Sequence, residues 1–248
     1  MSATTASAAL PPLDHVVITV SDLARATADY RAAGFTVAPG GVHPGRHTRN
    51  ALVLFQDGSY LELIAFDQPT EDRWHQVLAR HGEGLVDYAL LPTDVAARVR
   101  EARARGLAGI GDPQPGGRLR QDGVEVAWQI VRQASHDLPF YCADVTPRHL
   151  RVPEGDLRQH ANGALGVAEI RVACNDPART LARYRAFLGD EAIAAPDLVQ
   201  LPGTRIRLLP RSAGARDEGP CGITLAFAQA RSGVQVPPQL AHRVAFEA

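Results

Sequence analysis

The stretch LDHVVITVSDLARATADY, residues 13–30, decides the fold. Val16, Ile18 and Val20 fall on one face and His15, Val17 and Thr19 on the other, the period-two pattern of a strand covered on one side. Ser21 or Asp22 then caps a helix striped by Leu23, Ala26, Tyr30 and Ala33, and Gly34 ends it. A strand therefore runs straight into a helix that packs back on it, and a histidine is left on the strand's other face.

The layout recurs twice. GLVDYALLPTDVAARVREARARGL, from Gly84, has an apolar strand, a Thr93 cap, a helix striped by Val95, Val99 and Ala102, and a closing Gly106, with Asp87 in the place of His15. GVAEIRVACNDPARTLARYRAFLG, from Gly166, aligns Tyr184 with Tyr30 and puts Glu169 in that place. Short strands follow each start: FTVAPGG, RNALVLFQDG and SYLELIAF after the first, EVAWQIVR and LPFYCAD after the second, DLVQLPG, TRIRLLP and GITLAFA after the third. PQPGG and GGVHPG read as turn-formers. A unit of one strand, one helix and two or three strands makes the fold class α+β with a curved sheet. Residues 1–12 read as a frayed tail, 13–150 as two paired units, and 151–248 as a third, partial unit with a C-terminal extension.

Composition narrows the partners. The 248 residues carry a net charge of −1 and 45% hydrophobic residues, so the chain folds around a sizeable core and offers no basic field for nucleic acid. Three cysteines are too few and too scattered for a disulfide framework or a metal knuckle, and reduced thiols of a cytoplasmic protein are expected. No apolar run approaches membrane-spanning length, so neither a membrane nor a nucleic acid is an expected partner.

The chemistry concentrates in the first unit. Leu61 and Leu63 pack one way, while Tyr60 and Ile64 share the face of Glu62, so this carboxylate has apolar company on every side. An unpaired buried carboxylate costs several kcal/mol, so a metal ion, His15 or an arginine such as Arg49 must compensate it. A first-strand histidine with a last-strand glutamate begins a divalent-metal site, whose N and O donors suit zinc, iron, manganese or nickel. A third ligand would come from His43, His160, Asp87 or Glu169. His43 and His47 are four apart, but Pro44 and Gly45 exclude a helix, so their spacing is no evidence for zinc, and the segment reads as a loop over the cleft mouth. Trp128 and Tyr141 are core or cleft wall. P-loop, GxSxG and GxGxxG patterns are absent.

LDHVVITVSDL, GFTVAPGGVHPGRHTRNALVLFQDGSYLELIAF, LPFYCAD and HANGALGVAEI together resemble the glyoxalase-like branch of the vicinal oxygen chelate superfamily, over roughly residues 13–190. The resemblance implies βαβββ modules paired into a curved, barrel-like mixed sheet with helices outside, around a divalent metal held from first and last strands. It implies His15 and Glu62 as metal ligands and places His43, Asn50, His160 and Asn162 in the pocket. Two departures stand out in the second module, where Asp87 replaces the histidine that would complete a two-histidine set and LPFYCAD lacks an obvious carboxylate before Asp144; in the third module Arg207 stands near the place of Glu62.

The expected function is a metal-dependent lyase or isomerase acting on a small oxygenated molecule, with the metal as Lewis acid, His43 or His160 moving the proton, and Asn50, Trp128, Tyr141 and Asn162 contacting the ligand. The alternatives are a metal-free protein that binds and sequesters small molecules, and a non-haem iron dioxygenase, which would need a second histidine. The odd number of modules leaves the third to cover a sheet edge, pack as an appendage or pair with a second copy, and a homodimer is expected.

Overall fold

The computed structural model describes residues 9–212, 216–228, 236 and 238–247. The first unit comprises β1 (Leu13–Thr19), α1 (Leu23–Ala32), β2 (Ala38–His43), β3 (Thr48–Leu54) and β4 (Tyr60–Phe66). A linking helix, α2 (Arg73–His81), leads to the second: β5 (Gly84–Leu90), α3 (Val95–Ala104), β6 (Gln114–Arg120), β7 (Glu125–Val131) and β8 (Phe140–Asp144). A four-residue helix, α4 (Arg148–Arg151), precedes β9 (Ala164–Cys174), α5 (Pro177–Leu188), β10 (Ile193–Ala195), β11 (Leu198–Leu201), β12 (Thr204–Pro210), β13 (Gly219–Phe227) and β14 (Phe246–Glu247).

The first two units close one eight-stranded mixed barrel in the order β1-β4-β3-β2-β6-β7-β8-β5. Within each unit the first and last strands run parallel; the seams between units are the antiparallel pairs β1–β5 and β2–β6. Val16, Ile18 and Val20 pack outward with Ala26 and Tyr30 of α1, and Val17 packs inward with Ile64, Val86, Ala89, Phe140 and Cys142. Gly34 and Gly106 close the two equivalent helices at the same φ of 86°. The caps are Asp22, which accepts from the amides of Ala24 and Arg25, and Asp94 in place of the expected Thr93.

PQPGG, read as a turn-former, lies in a strand from Gln114, and so does the GGVH part of GGVHPG, whose Pro44 and Gly45 do form the turn that follows. APGGVH is β2 and QPGGRLR is β6, and they meet at the second seam, where a Cβ on Gly41 would stand 2.2 Å from the Leu119 carbonyl oxygen and one on Gly116 2.3 Å from Trp128 Nε1. The glycines serve close approach of backbones and rings rather than chain reversal.

The third unit is complete rather than partial. Its strands form a separate six-stranded sheet, β10-β11-β12-β9-β13-β14, which packs on the barrel as an appendage through α5 against α3. Tyr88 and Tyr184 share a buried hydroxyl hydrogen bond across this junction, and Tyr141 stacks on Phe187 at 4.4 Å. The tail expected over 1–12 lies partly outside the described residues; Leu10 packs on the core and the Pro12 carbonyl accepts from Leu91 N at 2.9 Å, so residues 9–12 are held. No helix among the described residues is long and apolar enough to cross a membrane.

Candidate functional site

β1 and β4 run side by side with His15 opposite Tyr60 and Val17 opposite Glu62, so His15 and Glu62 are diagonal neighbours on the inner face. Both are buried, and His15 Nε2 stands 3.5 Å from Glu62 Oε2. The imidazole is fixed from behind: Nδ1 lies 2.6 Å from Asp14 Oδ2, and the ring is stacked on Tyr60 and edge-on to Phe140. Burial by itself would raise the Asp14 pKa, but Arg151 and the His15 hydrogen bond overcome it and hold the carboxyl well below the usual range. An ionised carboxylate only accepts, so Nδ1 carries a hydrogen toward Asp14, and Nε2 is the ring nitrogen turned to the cavity.

Asp14 is itself clamped. Arg151 donates to both its oxygens at 2.7 and 2.9 Å, Arg148 donates to Oδ1 at 2.8 Å, and Arg151 continues to Asp144 and the Tyr60 hydroxyl. The two arginines come from α4, spaced i and i+3 on one face of its single turn.

On the other side of Glu62, Asn50 Nδ2 donates to Oε1 at 2.6 Å while its own Oδ1 accepts from the Gly41 amide. His43 Nε2 stands 3.8 Å from Oε1, and its Nδ1 is engaged with Thr48 Oγ1 at 2.9 Å. Burial would raise the Glu62 pKa, but His15, His43, Asn50 and Arg118 reverse the sign and keep it ionised. Burial pushes His43 down to about 4, which leaves it neutral at pH 7. Arg49 is not the partner of Glu62; it pairs with Asp67 at the surface.

The cavity bounded by these groups also has Arg46, Ile64, Trp74, Arg118, Trp128, Ile130 and Cys142 on its wall and is small, about 30 Å³. Roughly 10–15 Å³ of such space holds one water, so a larger ligand enters only if the wall moves. The β2–β3 hairpin borders this cavity, with Arg46 over Trp74 at 5.6 Å and paired with Asp72 beside His43.

The donor set suits a divalent metal. His15 and His43 each have one ring nitrogen committed to a partner and the other turned toward Glu62, and an orienting carboxylate behind a ligating imidazole fixes its tautomer and raises its basicity. A tighter group of donors, within 4.8 Å of one another, is Asp14, His15 and Cys142. That group does not suit an ion: Asp14 is saturated by two arginines, and burial pushes the Cys142 thiol far up, so it stays protonated. It is the layer behind His15.

Several expected site residues lie elsewhere. His160 is outside the barrel, with Nδ1 accepting from Thr36 N at 3.0 Å and Nε2 donating to Leu54 O at 2.9 Å. Asn162 bonds Ala33 O and Ala164 N beneath Gly34. Tyr141 points outward into the α5 junction, because Phe140 and Cys142 take the inner parity of β8. Asp87 faces inward but is taken by Arg73 and by Trp74 Nε1, and Glu169 pairs with Arg205 and Arg207. Trp128 does line the cavity, edge-on to His43. Sequence reasoning missed Asp14, Arg118, Arg148 and Arg151; the one available signal was the acid immediately before His15.

His160 is thus engaged by two backbone groups outside the barrel. Replacing it by alanine leaves the Thr36 amide without its partner and is expected to cost about 1–3 kcal/mol in chemical denaturation with metal affinity unchanged. Burial lowers its pKa, so the fold favours the neutral ring. Its contribution is full above the unfolded value of about 6.5 and is lost as pH falls below it, a dependence the variant lacks.

The family model described as Glyoxalase-like domain matches residues 13–188. No curated protein matches the chain. Among solved structures, a hypothetical protein from Staphylococcus aureus is similar over 89% of this chain and 92% of its own, at a TM-score of 0.69 and 16% identity. A xylose isomerase-like TIM barrel/4-hydroxyphenylpyruvate dioxygenase fusion protein is similar over 89% of this chain and 37% of its own, at 0.56 and 16%. Methylmalonyl-CoA epimerase from Streptomyces coelicolor is similar over 56% of this chain and 100% of its own, at 0.41 and 26%. With more than half its length matched and the paired-module barrel formed, the chain belongs to the glyoxalase-like domain family, within the vicinal oxygen chelate superfamily.

Proposed function

We propose that the barrel cavity is the active site of a metal-dependent lyase or isomerase for a small oxygenated molecule, with His15 and Glu62 holding the metal and His43 carrying the proton. The observation that carries this reading is His15 Nε2 facing Glu62 Oε2 at 3.5 Å while Nδ1 is engaged by Asp14, a gap too long for a good hydrogen bond and suited to two donors sharing a cation. What a divalent metal supplies at such a pair is Lewis acidity, which stabilises negative charge developing on two adjacent substrate oxygens.

The chain's own residues do the rest. Asp14 keeps the His15 tautomer, and Asn50 holds Glu62 Oε1 toward the His43 side. His43, neutral at pH 7 and tied through Nδ1 to Thr48, offers Nε2 to take a proton from a carbon next to the polarised oxygen and to return it. Trp74, Trp128 and Phe140 exclude water around that exchange.

A thermal-shift series on EDTA-dialysed protein tests this reading. Divalent cations at about a hundredfold over Kd are expected to add about 2.7 kcal/mol, and His43→Gln is expected to keep that gain while slowing turnover of an identified substrate about 10²–10⁴-fold. Stabilisation by hydrophobic compounds and not by metals would favour the metal-free binder. Loss of the metal response in His43→Gln would make His43 a ligand instead.

A further inference from the structure

The circuit of the barrel wall is asymmetric. The first unit contributes His15, Glu62, Asn50 and His43, whereas the second contributes Arg118, Trp128, Phe140 and Cys142. β2 pairs β6 with Gly41 opposite Arg120 and Val42 opposite Leu119, and one further step in that register brings Arg118 beside His43. Arg118 is therefore the one cation at the join between the donor half and the apolar half.

Its state is unusual for a buried arginine. It is 4% exposed, its Nη2 donates to the Arg151 carbonyl at 2.8 Å, and its Nε is buried with no hydrogen-bond partner. The other arginines on the cavity wall are neutralised, Arg46 by Asp72 and Arg151 by Asp14 and Asp144. Arg118 makes no salt bridge among the described residues; the one carboxylate acting on it through space, Glu62, is shared with the two imidazoles. A desolvated guanidinium without a counter-ion of its own costs several kcal/mol, and a bound anion removes that cost. Adding a divalent cation at Glu62 would only increase the excess of positive charge.

We infer that Arg118 receives the carboxylate of the substrate, so that the site takes a small organic acid with a second oxygen next to the carboxylate. The inference rests on the reading of this cavity as the ligand site and deepens it by naming the substrate class. A planar carboxylate matches one edge of a guanidinium. A phosphate would leave further oxygens facing Ile130 and Phe140, which cannot bond them. The carboxylate would lie toward the second unit with the adjacent oxygen toward Glu62, and the mouth would open by parting Arg46 from Asp72.

Lactate and its neutral isostere lactamide test this directly, with inorganic phosphate as a third probe. The chain's two tryptophans both line the cavity, so their fluorescence reports occupancy. Full-length protein, as purified and after EDTA dialysis, is expected to bind lactate about tenfold to a hundredfold more tightly than lactamide. Arg118→Met is expected to abolish that preference while raising the melting temperature, because the unneutralised buried charge is gone, and without weakening metal binding, and Arg118→Lys to restore part of the preference. Absence of saturable lactate binding, equal binding of lactate and lactamide, an intact preference in Arg118→Met, or tighter binding of phosphate than of lactate would overturn the inference. Metal affinity in the same samples separates the two claims: lactate preference without any metal binding sinks the metal-dependent reading and leaves Arg118 as the anion anchor of a binding protein.

Discussion

Replacing Asp14 by asparagine is expected to cost about 3–5 kcal/mol of folding stability and to weaken divalent-metal binding about 10–100-fold. Asp14 is fully buried and accepts from His15, Arg148 and Arg151 at once. Asparagine keeps the shape but removes the charge that neutralises Arg151, whose side chain is 1% exposed and cannot reach water. It also weakens the hold on His15 Nδ1, so the ring loses its fixed tautomer. The pH dependence follows from the sign of the shift. Asp14 is held well below its ordinary range, so its contribution is complete above the unfolded value of about 3.9 and is lost as pH falls through the lower folded value. Urea denaturation across that acid range should show a limb in the parent protein that is reduced in Asp14→Asn. An equal limb in both would mean that the α4 arginines do not depend on Asp14.

The second large effect concerns the two donors themselves. His15→Ala and Glu62→Gln are each expected to lower metal affinity by at least about a hundredfold, roughly 2.7 kcal/mol, because each would remove one of the two groups proposed to share the cation. His160→Ala is the control, since both its ring nitrogens are spent outside the barrel. Glu62→Gln tests charge more than shape: Asn50 Nδ2 can still donate to the amide oxygen at the Oε1 position, but no anion remains beside His15.

How far these features were legible in the sequence depends on what each residue's neighbours look like. The β1 alternation and the helix behind it could be read because one face is uniformly aliphatic and the other begins with His15. Glu62 could be read because its company is apolar throughout SYLELIAF. In β8 the same reasoning fails: FYCAD is apolar on both faces, one against the cavity and one against α5, so alternation does not say that Phe140 and Cys142 point in and Tyr141 out. β6 was hidden by its glycines, and of β2 only the part within FTVAPGG was read, because glycines normally break strands and here permit two backbones to close the seam. Arg118 sat inside that stretch and was hidden with it. The α4 arginines act across more than 130 positions of chain on Asp14, a distance that no local pattern crosses.

Cobalt titration of EDTA-dialysed protein, read by visible absorption, tests the central claim most directly. The parent protein should give saturable ligand-field bands at one equivalent, and both His15→Ala and Glu62→Gln should lose them while remaining folded. Bands that persist unchanged in either variant would contradict the account, because the imidazole and the carboxylate would then not be gripping the same ion.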